Sequence, residues 1–192
     1  VFRLPIVAFW EAMFCALMVT ERIIVFRLPF NESSMPLTPQ AIAPHIPVHQ
    51  RICLALSGGV DSMVLLHLLA SLRASHPFTL SAVHVHHALN PDADQWLDFC
   101  RAACAQLNVP FAAERVRVEP KGQGIEAAAR AARYAVFAAQ PCDAIALAHH
   151  QDDQIETFFL AALRGGGIRA LAAMPPSRVW RGKTLLRPLL AY

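Results

Sequence analysis

A chain of 192 residues is long enough for one well-buried domain with an appendage. With 55% apolar and only 16% charged residues it is globular, which excludes a disordered or solvating polypeptide. A net charge of +3 with a pI near 8.8 is mildly basic, compatible with a nucleic-acid partner without demanding one.

Residues 1–34 differ in character from the rest. The string Val-Phe-Arg-Leu-Pro stands at Val1 and again at Val25, too few copies for a repeat architecture. The apolar stretch from Ile6 to Val19 is broken by Glu11 and too short to span a bilayer, and it makes a poor signal peptide. The chain opens on Val, and Met35 lies shortly before the first motif, so Met35 is the expected start of natural translation. Pro36, Pro39, Pro44 and Pro47 form a stiff lead-in. Residues 1–50 are therefore read as an extension and 51–192 as the domain.

From Arg51 onward, short apolar runs alternate with helix-periodic stretches, the pattern of βαβ units. Strands are predicted near 52–56, 79–85, 111–118, 144–148 and 184–186, and helices over 61–73, 92–107, 125–139 and 152–164. The expected fold is α/β, a doubly wound, Rossmann-like parallel sheet of about five strands. Right-handed crossovers bring the strands' C-terminal ends to one edge, where ligands bind. Five cysteines without a CxxC pair read as buried thiols in a reducing cytosol, and Cys100 and Cys104, four apart on a helix, as core residues rather than metal ligands.

The leading motif follows the first strand: Ser57-Gly58-Gly59-Val60-Asp61-Ser62. Glycines at a strand-to-helix turn bring backbone N–H groups and the helix dipole toward phosphate, and Ser57 and Ser62 add hydroxyls. A carboxylate beside a polyphosphate implies an intervening divalent cation, so Asp61 points to Mg²⁺. No Gly-Lys-Ser/Thr follows, which excludes a Walker loop. The plainer alternative is a capped strand-to-helix turn.

Further motifs fall at strand ends or helix starts. In His84-Val85-His86-His87 a purine wall or simple hydrogen bonding is favoured over zinc, because no acidic or thiol partner is near in sequence. Glu126 and Arg130 suit an i,i+4 ion pair, while Arg130 and Arg133, one turn apart, suit pyrophosphate or RNA phosphate; Lys121 and Gly122 precede them in a loop able to close on a substrate. After the fourth strand, His149 is followed by Asp152, Asp153 and Glu156, expected to converge with Asp61 on a nucleotide-bound Mg²⁺, a reading preferred to helix capping. In Arg164-Gly165-Gly166-Gly167 a helix C-cap explains Gly165, and Gly166 and Gly167 permit close approach of a large substrate.

In this order the strings resemble the N-type PP-loop ATP pyrophosphatases and, within them, the tRNA(Ile)-lysidine synthase family: Ser57 to Ser62, His84 to Leu89, Gly124 to Tyr134, His149 with Asp152-Asp153-Gln154 and Glu156-Thr157, the Arg-Gly stretch at Arg164, and Arg187-Pro188-Leu189-Leu190. The resemblance spans about residues 51–190 and implies an adenine nucleotide alpha hydrolase-like domain. It implies a cytoplasmic ligase that uses ATP and Mg²⁺ to adenylate the C2 carbonyl of the wobble cytidine in tRNA(Ile) with a CAU anticodon, after which L-lysine displaces AMP. Ser57, Gly58, Gly59, Val60, Asp61, Ser62, His84 and His149 would hold nucleotide; Asp61, Asp152, Asp153 and Glu156 would hold metal. Asp61, Asp152, Asp153, Arg130 and Arg133 would carry the chemistry. Relatives usually carry C-terminal tRNA-binding domains, and these are expected to be absent here; the chain would act alone or as a homodimer. The competing expectations are a PP-loop tRNA thiolase, which needs paired cysteines, and a nucleotide-binding module without turnover.

Overall fold

The computed structural model describes residues 36–88, 92–118 and 124–192. The expectations for residues 1–34, Met35, Leu89, Asn90, Lys121 and Gly122 lie outside the described residues. The unit from Pro39 to Tyr192 carries every element below.

A short α1 (Pro39–Ile42) and a 3-10 turn (Ala43–His45) lead into β1 (Arg51–Ala55), α2 (Val60–Leu72), β2 (Thr79–His86), α3 (Ala93–Gln106), β3 (Phe111–Arg115) and α4 (Ile125–Ala139). The second half runs β4 (Ala144–Ala146), α5 (Gln151–Leu163), α6 (Ile168–Leu171), β5 (Ser177–Trp180) and β6 (Lys183–Leu186). The sheet has the order β3-β2-β1-β4-β6-β5, parallel throughout except for β5. The α/β doubly wound expectation holds, with six strands in place of about five. β1 and β4 are central and covered on both faces, which is why they read as unbroken apolar runs, Ile52-Cys53-Leu54 and Ala144-Ile145-Ala146.

The sixth strand, β5, pairs antiparallel with β6 through a two-residue turn at Arg181 and Gly182, whose φ angles are +49° and +76°. Positive φ at both central positions is the hairpin geometry that follows sheet twist. Only four residues long and preceded by Pro175-Pro176, β5 offers little periodicity to sequence reading.

On one sheet face Cys53, Val83, Ile145 and Leu185 pack with Phe137 of α4, and Tyr134 meets Trp180 edge to face at 5.3 Å between ring centroids. The opposite face carries Ile52, Leu54, Leu80 and Ala82 on the side of α3, whose Cys100 Sγ lies 3.8 Å from His84 Nδ1. Burial pushes the Cys100 and Cys104 thiols up to about 12 and about 11, as core thiols require. Arg51 and Asp143 fasten β1 to the start of β4: Asp143 accepts from the Arg51 guanidinium at 2.7 and 3.2 Å and from its backbone N–H at 2.9 Å. These bonds hold the Asp143 carboxyl at about 2. No helix among the described residues is long and apolar enough to cross a membrane.

Candidate active site

Strand order reverses between β1 and β4, and a crevice opens beyond their C-terminal ends where the two outgoing chains diverge. A cavity of about 480 Å³ occupies this point, lined among others by Ser57, Asp61, His87, Arg133, His149 and Asp153.

Its floor is the loop after β1. Gly58 stands at φ +89°, a backbone conformation that favours glycine, and a Cβ there would lie close to Cys100 Sγ, at 3.3 Å. The loop is braced from within: the Gly59 N–H donates to Ser57 Oγ at 3.2 Å, Ser57 and Ser62 hydroxyls meet at 3.0 Å, and Ser62 Oγ donates to Gly59 O at 2.9 Å. The first helical bond of α2 runs from the Met63 N–H, so the N–H groups ahead of it, in the first turn, face the crevice without intrahelical partners. Beneath, His84 Nδ1 bonds Leu56 O at 2.8 Å, and burial lowers the histidine's pKa. The imidazole is thus neutral with its proton on Nδ1, and it ties the end of β2 to the base of the loop while its ring forms part of the wall.

The facing wall begins at α5. His150 is the N-cap: its Nδ1 accepts from the Asp152 N–H at 3.2 Å, and Asp153 Oδ2 accepts from the His150 N–H at 2.9 Å, completing a capping box. With Nδ1 accepting, the proton of a neutral imidazole lies on Nε2, which sits 3.8 Å from Asp61 Oδ2 and 3.6 Å from Asp153 Oδ2. Tyr192 O accepts the Gln151 N–H at 2.8 Å, and the Gln154 amide bonds both the N–H and the carbonyl of Met174, so the start of α5 is held on two sides. His149 lines the cavity with a buried Nδ1 that has no partner among the described residues; burial and the nearby Arg187 lower its pKa.

α4 supplies Arg130, Arg133 and Tyr134 to the same cavity. Arg130 stacks on the Tyr134 ring at 5.0 Å and donates to its hydroxyl at 3.3 Å. The predicted Glu126–Arg130 ion pair is not among the bridges formed between described residues, which leaves the guanidinium to the cavity.

The predicted residues thus divide. Ser57, Asp61, Ser62, His84, Arg130, Arg133, His149 and Asp153 line one cavity, and Gly58, Gly59 and Val60 belong to the loop between Ser57 and Asp61 without lining it themselves. Asp152 and Glu156 are exposed and not on its wall. Consecutive helical residues diverge by about 100°, so Asp152 and Asp153 face different ways, and Asp153 serves as a cap, the role that sequence reading sets second. Among the described residues no cluster of three or more His, Cys, Asp or Glu side chains is set to hold a metal, so the four-carboxylate convergence does not form. What remains, Asp61 and Asp153, fits a Mg²⁺ that arrives on a nucleotide, since that ion is commonly held by one or two carboxylates together with substrate phosphates. His86, also in the histidine string and on the cavity wall, has Nδ1 accepting from the Ala88 N–H, while its buried Nε2 lies 3.3 Å from Asp94 Oδ1 without forming a hydrogen bond among the described residues.

Sequence reading gives no role to His150 or Trp96, both on the cavity wall, whereas His87 belongs to the histidine string read as a purine wall or hydrogen-bonding group and does line the cavity. The paired His149-His150 is the available signal, and nothing in the spacing distinguishes the cap from the wall.

A family model described as a PP-loop domain matches residues 34–192. The chain belongs to the PP-loop domain family. Relatives named tRNA(Ile)-lysidine synthase include that of Neisseria meningitidis serogroup B, 54% identical over 144 residues, covering 74% of this chain and 34% of the relative. The protein of Chromobacterium violaceum is 57% identical over 137 residues, covering 70% and 32%, and that of Aromatoleum aromaticum 49% identical over 160 residues, covering 80% and 36%. The chain spans about a third of the length of these curated relatives. Among solved structures, a U34-tRNA thiolase of Methanococcus maripaludis with its [4Fe-4S] cluster superposes with a TM-score of 0.63 at 18% identity, over 79% of this chain and 57% of that one. At that identity the likeness speaks for the PP-loop fold alone.

Proposed function

We propose that this chain is the ATP-binding, adenylating part of a tRNA(Ile)-lysidine synthase, a cytoplasmic enzyme acting on the wobble cytidine of tRNA(Ile) with a CAU anticodon. The observation that carries it is the meeting of the Ser57–Ser62 loop with Asp61, His150 and Asp153 across the strand-order reversal, opposite two arginines without carboxylate partners among the described residues. Identity of about half to relatives bearing that name supports the choice of reaction.

In this reading the first-turn N–H groups of α2 with Ser57 and Ser62 hold the ATP phosphates, and His84 keeps the loop in place. The cytidine C2 carbonyl oxygen attacks the α-phosphorus, the bond to pyrophosphate breaks, and the cytidine becomes an AMP ester. Arg130 and Arg133 offset the charge gathering on the departing pyrophosphate. Mg²⁺, held by Asp61 and Asp153 when it is bound, lends further positive charge to the same phosphates. The amine of L-lysine then attacks C2, AMP leaves with the bonding pair, and the amine sheds a proton to a carboxylate on the wall, for which Asp153 is the candidate. Cys53, Cys100, Cys104 and Cys142 are buried, so among the described cysteines none is exposed for the thiolase alternative.

The test is pyrophosphate release from ATP and Mg²⁺ by the chain with tRNA(Ile) bearing CAU, with and without L-lysine, followed by mass analysis of nucleosides. A lysine adduct on cytidine is expected. ATP binding with no turnover would leave the nucleotide-binding module as the better description. Self-association into a homodimer is a separate expectation, read from the oligomeric state in solution.

A further inference from the structure

Charge is distributed unevenly along this chain. All 14 carboxylates lie at or before Glu156, whereas Arg164, Arg169, Arg178, Arg181, Lys183 and Arg187 follow it. Two of these are committed: Lys183 Nζ donates to Gln140 O and Cys142 O, and Arg187, buried, donates to Pro175 O. Arg164, Arg169 and Arg178 are exposed and have no ion-pair or hydrogen-bond partner among the described residues.

The fold sets these three along the α5–α6 hairpin and the strand that follows it. α5 ends in a Schellman cap, with the Gly165 N–H donating to Ala162 O at 3.0 Å and the Gly166 N–H to Ala161 O at 2.8 Å. A Cβ on Gly166 would stand 2.8 Å from Ala161 O and 2.9 Å from Ala170 Cβ, so α6 folds back tightly on α5. The link from α6 to β5 returns to the start of α5, where Met174 bonds Gln154. Arg178, opposite Leu185, therefore stands toward the sheet edge that holds the cavity, while Arg181 lies in the turn at the far end of β5. α5 itself has no buried residue; Phe159, Leu163 and Ile168 are 58%, 84% and 88% exposed. From the cavity wall at Asp153 to Arg164 the helix extends about 16 Å, the span of a few nucleotides.

We propose that the α5–α6 hairpin with the start of β5 is an RNA-binding surface: Arg164, Arg169 and Arg178 take backbone phosphates of the substrate RNA, and Phe159 and Leu163 meet unstacked bases of its loop. This rests on the tRNA reading above, and it assigns the partner to a named face. Charge decides for RNA over protein, because from the last two turns of α5 through α6 and β5 a polyanion meets arginines and no carboxylate side chain, the carboxylates of α5 lying in its first half, and an aromatic among arginines suits a splayed loop.

The experiment is fluorescence anisotropy of a labelled RNA hairpin carrying the CAU anticodon loop, titrated with the full chain across a salt series. The triple variant R164A/R169A/R178A is expected to bind about tenfold or more weakly, and the salt slope to fall by about 2. R181A should bind as the wild type does, the triple lysine variant should keep most of the affinity, and ATP binding by all variants should be unchanged. Wild-type affinity in the triple alanine variant, or no RNA binding by the wild type, overturns the proposal. So does self-association that F159A and L163A abolish while RNA affinity stays constant, which would make the face a protein interface. If a hairpin with another anticodon binds equally and no lysidine forms, yet the arginines are still needed, the lysidine reading falls and the surface stands. Lysidine formation with RNA binding indifferent to the arginines does the opposite: the surface falls and the lysidine reading stands.

Discussion

Two helices begin at the same sheet edge, and they are built in opposite ways. α2 follows the glycine loop and is buried nearly all round, with Leu65, Leu66 and Leu69 each at 0% exposure; α5 follows His149-His150 and has no buried residue. α2 holds its loop by packing: Gly58 touches Cys100, and Ser62 is buried beneath the turn. α5 is held by hydrogen bonds at its start, through the capping box, Gln154 and Tyr192 O, and leaves its length to solvent. The phosphate loop is thus part of the core's rigidity, while the facing wall is the end of a surface element. A site with one fixed side and one exposed side suits a small nucleotide on the first and a large substrate on the second.

The largest effect expected from breaking this arrangement is on chemistry. Asp61→Ala removes the carboxylate nearest the phosphate loop and should lower pyrophosphate release by at least about a hundredfold, with the melting temperature little changed; undiminished release would refute the assignment of Asp61. Next comes the core. Leu66→Ala on α2 should cost about 2–5 kcal/mol of stability in urea unfolding, whereas Leu163→Ala on α5, at 84% exposure, should stay within about 0.5 kcal/mol. Equal losses at the two positions would show that α5 is covered in solution. Gly58→Ala combines a left-handed backbone with the close Cys100 thiol, and a loss of about 1–3 kcal/mol is expected, accompanied by weaker ATP binding in calorimetry.

The smallest effect is that of pH. Burial lowers the pKa of His67, His84 and His149, and with help from Arg133 that of His87. The unfolded chain therefore binds protons near pH 6.5 that the folded chain refuses. Stability from these groups is complete above that pH and declines as pH falls below it. A thermal melt should show a lower midpoint at pH 5.5 than at pH 7.5, and His84→Gln, whose amide can still donate to Leu56 O, should flatten the dependence. A midpoint that rises on acidification would contradict neutral buried imidazoles.

Much of this is legible in the residues alone. Unbroken apolar runs mark the central strands because a parallel sheet covered on both faces excludes water from every residue of them. The order of glycines, serines and aspartate at Ser57 to Ser62 points to the phosphate loop, because backbone conformation and hydrogen-bonding capacity belong to residue types. Three-dimensional packing decided the rest. Asp152, Asp153 and Glu156 look alike in a string, and only the helix's orientation puts Asp153 on the cavity and the other two in solvent. His84, His86 and His149 are chemically identical and all reach the cavity wall, yet the carbonyl of Leu56 makes the first a brace, the second stands beside the carboxylate of Asp94, and the third keeps a buried Nδ1 without a partner among the described residues. Residue type is local, so sequence determined the chemistry on offer and the elements that carry it; direction and burial depend on contacts between distant segments, so tertiary structure alone decided which groups meet.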